Sequence, residues 1–85
     1  MAYRVSFAPA ALRQFRKLPA AVQTRLSPHI DALANDPRPN GVVKLSGAAD
    51  IYRIRVGDYR IIYEIRDAVL VVLVLKIGDR RDVYK

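Results

Sequence analysis

The dipeptide Gly57-Asp58 separates two runs, Ile51–Val56 and Tyr59–Arg66, in which apolar residues recur at every second position. A two-residue connection of this kind closes a tight antiparallel hairpin, and the turn fixes which residues face each other. Val56 then lies opposite Tyr59, Arg55 opposite Arg60, Ile54 opposite Ile61, Arg53 opposite Ile62 and Tyr52 opposite Tyr63. Side chains alternate between the two faces of a strand. One face therefore collects Tyr52, Ile54, Val56, Tyr59, Ile61, Tyr63 and Ile65, and the other collects Arg53, Arg55 and Arg60. The first face must be buried. The second sets two like charges directly across from each other, which costs a sheet stability.

The rest of the chain supplies partners for the apolar face. Tyr3, Val5 and Phe7 alternate with Arg4 and Ser6, the pattern of a half-buried strand. Pro9 suits the first turn of a helix. That helix is expected to run to Leu18, with Ala11, Leu12, Phe15 and Leu18 as its apolar stripe and Arg13, Gln14, Arg16 and Lys17 facing water. Pro19 ends it and can open a second helix over Ala20–Asn35, where Val22, Leu26, Ile30 and Leu33 recur at helical spacing. Pro28 lies inside this span, so one kinked helix is expected, with His29 as a surface or partly packed side chain beside the kink. Asp36 to Asp50 contains Pro37, Pro39, Asn40, Gly41 and Gly47 and reads as a loop carrying Lys44. After the hairpin, Asp67-Ala68 can form a second tight turn into a strand over Val69–Ile77, apolar on both faces as a central strand is. The predicted order β-α-α-β-β-β defines an α+β fold of one domain, residues 1–85: two helices packed on one face of a mostly antiparallel sheet.

Composition narrows the function. The chain has no cysteine and a single histidine, His29, which removes thiol chemistry, disulfides and multi-histidine or cysteine metal sites; no metal or other cofactor is expected. Lys and Arg number 15 against 8 Asp and Glu, a net charge of +7 that favours polyanionic partners. The longest apolar run, Ala68 to Leu75, is far short of the ~20 residues a membrane-spanning helix needs, and no signal peptide is read at the N-terminus, so a cytoplasmic location is expected.

With Arg66 paired to Val69 across the second turn, Tyr59 faces Lys76, and the basic tail from Gly78 starts beside the first hairpin turn. Arg80 and Arg81 then come within reach of Arg55 and Arg60. Guanidinium groups grip phosphate through two parallel hydrogen bonds, so four arginines at one end of a sheet suit an anion site. Tyr84 near them can stack on a base. The same pattern also fits a solvated face, with the arginines fanned into water and partly paired with Asp58, Glu64, Asp79 or Asp82.

At these residues the chain resembles the RelE/ParE toxin superfamily, in particular its RelE branch. The resemblance runs through Tyr3-Arg4-Val5-Ser6-Phe7 with the following Ala10 to Leu18, through Lys44-Leu45-Ser46-Gly47 and Tyr52 to Tyr63, and through the ending Ile77-Gly78-Asp79-Arg80-Arg81-Asp82-Val83-Tyr84. It implies an mRNA interferase that enters the ribosomal A site and cuts by attack of the ribose 2′-OH on the adjacent phosphate, without a metal. By position, Arg53 and Arg55 match basic residues that hold RNA phosphates or assist proton transfer. Arg60 matches the arginine that stabilises the transition state, Arg80 the one assigned to the leaving group, and Tyr84 the tyrosine that orients substrate. Lys44 and Arg81 are further RNA-binding candidates.

Two departures stand out. Many relatives carry histidine where this chain has Asp79, and some carry lysine where it has Arg55. Arginine keeps its proton, so the remaining chemistry is mainly electrostatic. The resemblance also implies an acidic antitoxin, encoded next door, that forms a hetero-oligomer with the chain and wraps its apolar grooves near the arginines. Two other functions fit the same fold: a ParE-like toxin acting on DNA gyrase, and a weakly active homologue that mainly binds its antitoxin.

Overall fold

The computed structural model describes residues 2–45, 47 and 50–79 of the 85-residue chain. Strand β1 (Arg4–Phe7) is followed by helices α1 (Pro9–Arg16) and α2 (Ala20–Ala32), a short strand β2 (Val43–Lys44), the hairpin strands β3 (Ile51–Val56) and β4 (Tyr59–Arg66), and strand β5 (Val71–Asp79). They form one sheet in the order β1-β5-β4-β3-β2. Only the β1–β5 pair is parallel; the other neighbours are antiparallel. The expected α+β layering holds, with β5 paired on both sides. The added strand is β2, two exposed residues at the sheet edge, too short to announce themselves in a loop rich in Pro and Gly.

The hairpin register is the one its turn dictates, from Val56 opposite Tyr59 through Tyr52 opposite Tyr63. Gly57 takes the left-handed φ of +61° that the first position of such a turn demands of a glycine. The apolar face packs as expected. Ala11, Leu26, Ile30 and Leu33 meet Tyr52, Ile54, Val56, Ile61, Tyr63 and Ile65, and Val72, Val74 and Ile77 complete the core.

The second connection differs from the tight turn expected. Asp67–Val69 form one turn of 3-10 helix, and Leu70 closes it at a left-handed φ of 53°. Arg66 therefore pairs with Val71 rather than Val69. A bulge between Ile62 and Tyr63 adds one more residue, so Tyr59 faces Asp79 instead of Lys76. Two residues from the turn and one from the bulge make the three-residue shift.

Both helices end earlier than their patterns suggest. After Ala32 the chain tightens, with Leu33, Ala34 and Asn35 each donating N–H to the carbonyl three residues back. Helix α2 does run through Pro28, and the Ser27 hydroxyl donates to the Gln23 carbonyl at 2.8 Å just before it. Gln14 was expected to face water; instead it is half-buried, and its Oε1 accepts the Ile77 N–H at 2.8 Å. Strand β1 ends opposite Val74, so this side chain takes up a β5 donor beyond the reach of β1.

The loop after α2 is tied down at the far end of β4. Buried Tyr63 donates its hydroxyl to the Pro37 carbonyl at 2.7 Å. Arg38 donates to the Tyr52 hydroxyl at 3.2 Å and to Asp67 at 3.0 Å, while the Tyr3 hydroxyl donates to the other Asp67 oxygen. The Arg38 hydrogen bond, helped by Tyr3, holds the Asp67 carboxyl below its ordinary value of 3.8. Burial pushes the Tyr63 hydroxyl well above the usual tyrosine range.

Two outcomes follow for stability. Tyr63→Phe strands the Pro37 carbonyl and should cost about 1–3 kcal/mol. Thermal melting should show the loss as roughly 4–8 °C per kcal/mol. Because the folded pKa of Asp67 is depressed, its contribution is present above pH 3.8 and is lost as the pH falls through the lowered value. Melting curves taken on acidification should therefore fall less steeply for Asp67→Asn than for the parent.

Candidate anion and RNA site

No helix covers the second face of the sheet among the described residues. Cross-strand partners share a face, so the register places Arg53, Ile62 and Lys76 in one row and Arg55, Arg60 and Gly78 in the next. Arg55 and Arg60 are direct neighbours, as the turn required. They differ sharply in environment: Arg55 is exposed, Arg53 half-buried, and Arg60 only 3% exposed. Gly78, the β5 neighbour of Arg60, has no side chain to crowd the guanidinium. A guanidinium keeps its charge on burial, so Arg60 presents a fixed cation in a low-dielectric wall, where electrostatic attraction is strongest. A pocket of about 50 Å³ opens at the hairpin end between Arg55, Gly57, Asp58 and Arg60.

Arg53, Arg55 and Arg60 are thus brought together. Lys44 is not. It pairs with Tyr52, which puts it on the helix side of the sheet, 3.9 Å from Asp50 and 6.0 Å from the centre of the Tyr52 ring. Arg80, Arg81 and Tyr84 lie outside the described residues, though β5 ends at Asp79 beside the hairpin turn. Asp79 pairs with Tyr59 and so belongs to the helix side, where it borders a hollow with Gln14, Lys17 and Leu18. That location removes it from the arginine face.

Lys76 is the residue that sequence reasoning missed. In the expected register it faced Tyr59 and the core side; the bulge turns it to the arginine side, opposite Ile62. A lone cation in the apolar run from Ala68 to Ile77 was the available signal. Among the described residues no group of three or more His, Cys, Asp or Glu could hold a metal, and no helix is long and apolar enough to cross a membrane.

What the arrangement can do is grip a phosphodiester and stabilise negative charge that builds on it. Comparison with known proteins agrees in sequence and in shape. Residues 5–84 match the family model described as the ParE toxin of type II toxin-antitoxin system, parDE. The chain is 34% identical to the mRNA interferase toxin RelE of Escherichia coli K12 over 88 residues, spanning 99% of this chain and 92% of that protein. The structure superposes on the archaeal RelE–RelB complex from Pyrococcus horikoshii with a TM-score of 0.83 at 34% identity, covering 96% of this chain and 99% of that one. It superposes on the intact E. coli RelBE toxin–antitoxin complex with a TM-score of 0.81 at 32% identity, covering 92% and 96%.

Fold and basic face together define a toxin domain of the type II toxin–antitoxin kind. The chain belongs to the RelE/ParE toxin superfamily, on its RelE-like branch.

The face should behave as an electrostatic RNA platform. Arg55→Ala and Lys76→Ala should each weaken binding to a single-stranded RNA and reduce the slope of log K against log salt by about 0.7. Lys44→Ala, on the other side of the sheet, should leave that slope unchanged in a filter-binding titration.

Proposed function

We propose that the chain is an endoribonuclease that cuts mRNA in the ribosomal A site of the cytoplasm and is held inactive by an acidic antitoxin. The observation that carries this reading is the direct cross-strand pairing of exposed Arg55 with buried Arg60, on the same sheet face as Arg53. The relatives named mRNA interferase, and the solved toxin–antitoxin complexes of the same shape, support it.

In the reaction the 2′-oxygen of one ribose bonds to the adjacent phosphorus and the P–O5′ bond breaks. The products are a 2′,3′-cyclic phosphate and a free 5′-hydroxyl. Charge accumulates on the non-bridging oxygens, and a preorganised guanidinium at Arg60 meets it without reorganising. Arg55 and Arg53 hold the flanking phosphates. The 2′-OH must lose a proton and the 5′-oxygen must gain one, which arginines do poorly. Lys76 adds an ammonium group to this face, opposite Ile62. The ribosome, by fixing the mRNA in line for attack, supplies positioning that would otherwise cost several kcal/mol. As the family resemblance implies, Arg80 and Tyr84 complete the set as leaving-group donor and substrate-orienting ring, with Arg81 on RNA.

Expression without the neighbouring antitoxin gene should arrest growth, and primer extension should show new 5′ ends within translated mRNA. Arg60→Lys keeps the charge but loses the fork, and should lower cleavage on the order of 10²–10³-fold. Intact mRNA together with gyrase-dependent DNA breaks would instead favour a ParE-like activity.

A further inference from the structure

Arg55 borders two adjoining hollows. On one side it shares the small pocket with Arg60; on the other it forms the rim of a groove of about 300 Å³ between the end of α2, the loop after it and the edge of β3. Buried Leu33 and Ile54 make the floor, and His29, Asp36 and Asn40 join Arg55 on the rim. That volume sits at the lower end of the roughly 300–1,000 Å³ typical of small-ligand sites.

The groove exists because β2 is so short. It pairs with β3 only at Tyr52 and Arg53, which leaves the edge at Arg55 open. In an antiparallel hairpin the pair that closes a two-residue turn is hydrogen-bonded and the next pair is not. The N–H and C=O of Arg55 therefore point away from β4, toward this edge. The opposite wall is held in place: Tyr63 and the Arg38 contacts anchor the loop, and Pro37 and Pro39 restrict its backbone. The Arg38 N–H donates to Asp36 Oδ1 at 3.3 Å, which orients the carboxylate.

A carboxylate on the rim of a phosphate-gripping surface opposes phosphate binding, so its chemistry suits a different part of the nucleotide. We propose that this groove holds the nucleobase next to the phosphodiester gripped by Arg55 and Arg60, and that Asp36 selects a base whose hydrogen-bonding edge presents N–H donors, guanine foremost. The proposal rests on the RNase reading above and names the specificity site of the same face. Single-stranded bases splayed from a backbone are read by stacking and by hydrogen bonds along their edges. Guanine offers its ring N–H and exocyclic amine side by side to one carboxylate. Uracil turns carbonyl oxygens toward the same group. A site built around such a hydrogen bond rejects the wrong partner by leaving polar groups unpaired.

His29, the chain's single histidine, lines the groove and reports on it by NMR without any activity measurement. The full chain would be titrated at constant pH with guanosine 3′-monophosphate, uridine 3′-monophosphate and inorganic phosphate. Guanosine 3′-monophosphate should shift the His29 ring signals saturably and at least tenfold more tightly than the uridine nucleotide, and phosphate alone should leave them in place. Asp36→Ala, with an unchanged melting temperature, should erase the preference, whereas Lys44→Ala should keep it. Equal affinities for the two nucleotides, no shift with either, or a shift with phosphate alone would overturn the base subsite. Selective guanosine binding in a chain that cuts no translated mRNA would overturn the RNase reading and leave the subsite standing, so the two failures are told apart.

Discussion

The structure depends on a trade within one hairpin. Placing Arg55 directly across from Arg60 costs a sheet roughly 0.2–1 kcal/mol. The opposite face of the same two strands buries Tyr52, Ile54, Val56, Ile61, Tyr63 and Ile65, each worth roughly 1.5–3 kcal/mol when fully removed from water. The apolar face therefore wins by a wide margin. It is this surplus that lets a sheet of 85 residues' worth of protein hold cations together at one end. Gly57 makes the arrangement rigid, since a two-residue turn cannot slip by one residue without turning every apolar side chain outward.

Around that hairpin, the other elements act as supports. Helices α1 and α2 pack on the apolar face, and on the other face Arg55 stays exposed. Gln14 reaches from α1 to the Ile77 N–H, which holds the end of β5 in place. At the opposite end of β4, Tyr63, Arg38, Tyr52, Tyr3 and Asp67 tie three separate stretches of chain together. The Arg38–Asp67 pair is exposed and worth little by itself; buried Tyr63, whose hydroxyl is raised in pKa by burial, is the firmer anchor. The groove beside Arg55 inherits its fixed wall from this network.

The chemistry available to the face follows from which side chains the sheet turns toward it. Arginines give charge and geometry but hold their protons, so the site is stronger in electrostatic stabilisation than in proton transfer. The bulge at Ile62 and Tyr63 adds Lys76 to the face, and the shifted register keeps Asp79 off it. One inserted residue thereby puts a lysine on this face in place of an aspartate.

Local rules determined a great deal of this protein. Alternation and a two-residue turn determined the hairpin, its register, its buried face and the meeting of Arg53, Arg55 and Arg60, because each depends only on residues adjacent in the chain. Helical spacing located α1 and α2, and the motifs from Tyr3 to Tyr84 identified the family. Tertiary structure alone decided the rest. The length of the Asp67–Leu70 turn, the bulge, the two-residue strand β2, the burial of Arg60 and the departure of Lys44 to the other side all depend on how distant strands meet. A strand's own pattern states which side chains share a face, but the partner's register is settled by packing across the whole sheet, where a one-residue insertion costs little locally and reassigns every side chain beyond it.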